Sequence, residues 1–208
     1  MRSLALPFRI PHSPFRIRIE MHILQLVPTL DVGGVERGVI DLTKGLLSRG
    51  HRVTVVSAGG VLVESLQRLG AAHHALPVHH KSPWSIRKTV PLVCRLIEEG
   101  GVEVIHARSR APAWIGYWAS RRTGTPFVTT CHGFYAPHPA SSVMTWGRIV
   151  VVPSQALGRY LIDRFHVPPE RLRVLPRGVD LTEFPFTPPP KILVEGHAPP
   201  PPRDGQPW

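Results

Sequence analysis

Short apolar runs alternate along this chain with stretches whose apolar residues recur at helical spacing, and this alternation limits the fold more than any other feature. The runs are His22 to Val27, Arg52 to Ser57, Ala72 to Leu76, Val102 to His106, Phe127 to Thr130, Arg148 to Val152 and Leu172 to Leu175. Helical stretches lie between them: one carrying Val35, Val39, Ile40, Leu42, Leu46 and Leu47, a second up to Leu69, then Ser85 to Glu99, Pro112 to Arg122, and Gln155 to Phe165. Strands alternating with helices predict an α/β domain, a Rossmann-like parallel sheet with helices on both faces. In such sheets ligands gather beyond the C-terminal strand ends. Polar clusters follow the runs at those places: Gly33-Gly34, His106-Ala107-Arg108, Cys131-His132-Gly133, Ser154, and Arg177-Gly178.

The first of these clusters is the most informative. After His22 to Val27 the chain turns through Pro28, Asp31, Gly33 and Gly34 into a helix. Free N–H groups at a helix start suit an anion such as a diphosphate, and paired glycines let a ligand reach the backbone. A glycine-rich turn kept for packing alone reads the same way. Asp31 suits an Asx-type turn. Glu36 falls in the first turn of the helix, where it either complements the helix dipole or meets a ligand.

The other clusters carry similar alternatives. His132 ends a buried strand, where it either caps the strand or hydrogen-bonds a polar ligand. Arg108 and Arg110 precede Pro112 at a helix start and either hold a phosphate or carboxylate or lie solvated at the surface. Arg177 either binds an anion or closes the domain. Metal binding is not expected: His73-His74 and His79-His80 are adjacent pairs that point apart on a strand, and no carboxylate or cysteine joins them at ligand spacing. Cys131 and His132 are neighbours in sequence, unlike an assembled thiol–imidazole pair. Gly33-Gly34 with Gly38 does not match the dinucleotide fingerprint.

A formal charge of +11 favours anionic partners, whether phosphorylated small molecules, acidic membrane surfaces or nucleic acid. Nucleic acid rests on charge alone, since no recognised module is present. The two cysteines show no disulfide or zinc spacing, which fits a reduced cytoplasmic setting. No apolar run approaches the ~20 residues that span a bilayer. Residues 1–20 are basic and broken by Pro7, Pro11 and Pro14; they read as a loose extension, with Met21 as the natural start. Residues 21–184 form the predicted domain, and 185–208 a proline-rich tail in which polyproline II or disorder is expected.

Four segments together carry a family likeness. They are Pro28 to Gly38, Ile105 to Trp114, Pro126 to Gly133 and Pro168 to Asp180, in that order. The chain resembles the N-terminal domain of a family-4-type glycosyltransferase of GT-B architecture, similar to enzymes that build lipopolysaccharide and related glycans. The resemblance implies retaining transfer of a sugar from a nucleotide sugar to a glycan or lipid-linked acceptor. It implies no metal and no cofactor beyond the nucleotide-sugar co-substrate. Gly33 and Gly34 would then lie near the donor diphosphate, with Glu36, Ser154 and Arg177 as further substrate contacts. His132 would be the catalytic residue at the transferred sugar, and Arg108 and Arg110 would belong to the acceptor pocket. The family's second domain, with its paired-glutamate E-x7-E signature, has no counterpart after Asp180. The chain is therefore expected to lack that C-terminal half, through truncation or a frame shift near residue 187, and to be of low activity alone unless a partner chain supplies it. The alternative is a non-catalytic module that docks a partner chain or an acidic membrane surface, peripheral at the inner face of the membrane.

Overall fold

The computed structural model describes residues 20–178 together with Leu181 and Pro185. Seven strands make one parallel sheet in the order β3-β2-β1-β4-β5-β6-β7. They are β1 (His22–Leu26), β2 (Arg52–Ser57), β3 (Ala72–Ala75), β4 (Val104–Ala107), β5 (Phe127–Thr130), β6 (Ile149–Val152) and β7 (Leu172–Val174). The helices are α1 (Gly34–Leu47), α2 (Val63–Arg68), α3 (Pro83–Gly100), α4 (Arg110–Thr123), α5 (Pro139–Ser142) and α6 (Gln155–Phe165). The chain builds outward from β1 to β3, crosses back through α3, and builds outward again from β4. The strand order therefore reverses between β1 and β4, opening a crevice at their C-terminal ends.

Helices cover both faces of the sheet, which is why every residue of β1 is buried and why the strands read as nearly continuous apolar runs. Residues of β1 and the Val27 that follows it serve different cores. Leu24 and Leu26 pack in the cluster that holds Val90, Val93 and Ile97 of α3, Ile115 of α4 and Leu161 of α6. Val27 packs in the cluster of Val39 and Ile40 of α1 and Leu66 of α2. Gln25 joins that second face through its Nε2, which donates to Thr43 Oγ1 of α1 at 2.8 Å.

The helix ends follow local chemistry. Pro83 opens α3 with its fixed φ, and Gly101 at φ 63° closes it. Gly124 at φ 75° closes α4 in the same way. Two boundaries differ from expectation in ways that matter for function. α4 begins at Arg110, ahead of Pro112, so Arg110 belongs to the helix; proline is tolerated in a first turn, whose N–H groups have no intrahelical partner. Val102 and Glu103 precede β4, because the Val102 N–H returns to Ile97 O and closes α3. α5 and the 3₁₀ turn Val143–Thr145 after it are additions, started by His138, whose Nδ1 accepts the Ala140 N–H at 3.1 Å.

The compact unit ends at Arg177, and residues 178–208 form a separate unit. Apart from Glu20 and Pro185, the loose extension expected at 1–20 and the proline-rich tail expected at 185–208 lie outside the described residues.

Candidate functional site

Four of the five predicted clusters stand at the β1/β4 crevice or beside it, and long-range contacts join three of them. Gly33 is the extended residue before α1, and Gly34 is its first residue. Arg177, arriving just past β7, donates through Nη1 to Gly34 O and through Nη2 to His132 Nδ1 at 3.1 Å. Arg108 follows β4, tied by its N–H to Leu26 O of β1 at 3.1 Å. The residue is 6 % exposed, and its Nε has no partner. Burial, then the neighbouring Arg177 charge, lowers the Arg108 pKa to about 10, against the opposing pull of Glu36 and Asp41. Arg108 is thus a cation at neutral pH, held mostly out of water and incompletely paired.

His132 sits beside these two charges. Burial first, then Arg108 and Arg177, pushes its pKa down to about 3, so the ring is neutral. A guanidinium has no lone pair, so the bond from Arg177 makes Nδ1 the acceptor and puts the ring proton on Nε2. That Nε2 is buried and has no partner. The site therefore presents an N–H donor with nothing to receive it. Behind it, His106 of β4 meets Thr130 Oγ1 at 2.7 Å, and its pKa is lowered to about 3 by burial, Arg108 and His132.

Two residues to which sequence reasoning gave no role in the site complete it. Gly38, inside α1, leaves the space the arginines use: a Cβ there would stand 2.6 Å from Arg108 Nη2 and 3.5 Å from Arg177 Nη2. The signal available was a glycine one helical turn after Gly34, at a position where helices disfavour glycine. His106 is the other, named beforehand in the His106-Ala107-Arg108 cluster but given no role of its own. Glu36 folds its carboxylate over Gly33, as its place in the first turn suggests.

Arg110 and Ser154 stand apart from this cluster. Arg110 is exposed, with its guanidinium 5.5 Å from the centre of the Tyr135 ring. Ser154 caps α6, its Oγ accepting the Leu157 N–H at 3.2 Å, which leaves its hydroxyl proton and one lone pair. Cys131 is buried, with its thiol pKa raised to about 12 by desolvation, and it faces Met144 O. That is the environment of an inert thiol. Among the described residues no three of His, Cys, Asp and Glu converge in a metal-binding group.

Chemically, the N-terminus of a 14-residue helix, two guanidinium groups and an unpaired N–H donor lie close together. This suits an anion flanked by a hydroxyl-bearing group. Fold and site together define a Rossmann-like α/β domain with an anion-attracting crevice at the switch point. The sequence pattern of Glycosyltransferase Family 4 matches residues 32–183, and the chain belongs to that family. A glycosyltransferase from Rickettsia africae superposes with a TM-score of 0.72 at 34 % identity, over 82 % of this chain and 47 % of that one. The D-inositol 3-phosphate glycosyltransferase of Acidothermus cellulolyticus is 26 % identical over 88 % of this chain and 48 % of its own length. Anabaena HepE, solved in complex with UDP-glucose, shares the fold with a TM-score of 0.63 at 21 % identity, over 81 % of this chain and 47 % of its own. This chain spans about half the length of these relatives.

Proposed function

We propose that this chain is the N-terminal, acceptor-side half of a glycosyltransferase that moves a sugar from a nucleotide sugar to a glycan or lipid-linked acceptor with retention. The observation that carries the reading is the unpaired His132 Nε2–H beside Arg108 and Arg177 at the start of α1. As a nucleotide sugar breaks, negative charge grows on the diphosphate. Arg108, Arg177 and the N–H groups around Gly33 and Gly34 stabilise that charge without rearranging. His132 donates from Nε2 to a hydroxyl of the transferred sugar and so fixes its position. Because the ring is neutral, it acts as a donor and not as a competing cation. Glu36 and Arg110 serve as further substrate contacts, the latter toward the acceptor, and the Ser154 hydroxyl proton is a candidate donor. The chemistry needs no metal and no cofactor beyond the sugar donor. A cleft closed by a second domain excludes water from the diphosphate, so this half alone binds donor weakly and turns over slowly.

Binding of UDP and UDP-glucose to the full chain, followed by calorimetry, tests this. Replacing Arg108 with Gln, or His132 with Ala, should weaken binding at least tenfold, about 1.4 kcal/mol. Equal affinity in the wild type and both variants would overturn the assignment.

A further inference from the structure

One carboxylate stands where an incoming anion would settle. Glu36 is the third residue of α1, and its side chain folds back over Gly33, the residue before the helix. A Cβ on Gly33 would overlap Glu36 Oε2 and stand 3.2 Å from Glu36 Cδ, so the carboxylate lies there because residue 33 has no side chain. The arrangement is half of a capping box: the glutamate at the third helical position reaches back, and no side chain at the N-cap answers it. The N–H groups of Gly34, Val35 and Glu36 lack intrahelical partners, since the first bond of the helix runs from the Arg37 N–H to Gly33 O at 2.9 Å. Glu36 is half-buried, and no ion pair engages it among the described residues. Its charge is nevertheless felt at Arg108, where it and Asp41 oppose the effects of burial and of Arg177. Asp41 differs in being paired, with Arg37 Nε at 3.1 Å.

A negative charge tethered at this place acts on every anion that approaches. The carboxylate already draws on the favourable field of the helix start. Because its own backbone holds it there, its effective concentration is on the order of millimolar, whatever the solution contains. An anion of single charge would replace like with like and gain little. A diphosphate carries more than one charge, and its several oxygens can meet Arg108, Arg177 and the helix N–H groups at once. That gain is large enough to turn the carboxylate out.

We infer that Glu36 is a tethered counter-anion that sets the charge threshold of the crevice: its carboxylate occupies the start of α1 in the empty site, and only a ligand with two or more negative charges displaces it. The inference rests on the reading of the crevice as an anion site. It makes Glu36 oppose the binding of phosphate groups, whatever contact the displaced carboxylate then makes with a sugar.

Glu36→Gln is the direct test, because glutamine keeps the length and the capping role at this position and loses the charge. Calorimetry on the full chain at constant ionic strength compares UDP, inorganic pyrophosphate and formate. None of these carries the transferred sugar, so a contact between Glu36 and that sugar does not enter. UDP and pyrophosphate should bind the variant about fivefold more tightly than the wild type, near the upper end for one charge at a helix N-terminus. Formate should compete with UDP in the variant and not in the wild type. Asp41→Asn removes the same net charge, and the other carboxylate that acts on Arg108, without freeing the place over Gly33; it should change UDP affinity far less. Equal gains in the two variants would show that net charge matters and position does not, which would overturn the proposal. UDP affinity unchanged or weakened in Glu36→Gln would overturn it too, as would formate competition in the wild type as strong as in the variant. If neither wild type nor variant binds UDP or pyrophosphate, the crevice reading fails and this inference fails with it.

Discussion

Arg108 lies 6 % exposed with Nε unpaired and a second guanidinium nearby, an arrangement that costs stability unless an anion arrives. Replacing it with Met should therefore stabilise the ligand-free domain by about 1–2 kcal/mol while weakening UDP binding. Paired thermal melts, with and without UDP, check this; a variant that melts lower in both conditions would mean that Arg108 is structural. Acid should act through the histidines. His106 has its folded-state pKa lowered to about 3, while the unfolded side chain titrates near 6.5. Between those values the unfolded chain binds the extra proton, so stability falls as pH drops from about 6.5 towards 3, by up to ~1.4 kcal/mol per pH unit. His132 adds in the same direction. His106→Gln should flatten the dependence of denaturation midpoint on pH in that window, and an unchanged slope would count against a buried neutral His106.

At the level of elements, two helix glycines are places where the central strands or the site come close. A Cβ on Gly116 of α4 would stand 2.9 Å from Phe127 Cε2, 3.0 Å from Leu26 Cδ1 and 3.2 Å from Ile105 Cγ2, atoms of three strands. Gly116→Ala should cost about 1–3 kcal/mol through overpacking, more than the ~1 kcal/mol of helix propensity it gains, and a urea titration reads the difference. Gly38→Ala gains the same propensity but drives its methyl into the Arg108 guanidinium. It should leave the urea midpoint nearly unchanged and reduce UDP affinity about tenfold, or 1.4 kcal/mol. The strands and long helices were legible because burial on both faces and amphipathic periodicity write themselves into local sequence. α5 was not legible, since four residues led by a proline carry no period. Gly33, Gly34, Arg108, His132 and Arg177 were legible as strand-end residues, because a parallel sheet brings its C-terminal strand ends to one edge. Their pairing was not. Arg177 reaches Gly34 across 143 residues, and only the fold reveals that Gly38 must be small because two guanidinium groups lie over it.

For the whole molecule, two surfaces stand out among the described residues. The crevice at the sheet's switch point presents charge and an N–H donor, and a groove between α3 and α4 presents hydrocarbon ringed by cations. Among the described residues no helix is long and apolar enough to cross a membrane. The chain covers about half the length of these relatives. Supplying the C-terminal half of such a relative in trans should raise turnover of UDP-glucose well above that of this chain alone. Turnover that is robust without it would show that one domain suffices.

In the proposed function His132, kept neutral by burial and two arginines, offers its Nε2 proton beside a diphosphate. An NMR titration of the His132 imidazole in the full chain, with and without saturating UDP, tests it most directly. Without ligand the ring should remain the neutral Nε2–H tautomer well below pH 6.5. With UDP neutralising Arg108 and Arg177, its pKa should rise. A ring that titrates near 6.5 and ignores UDP would contradict the account.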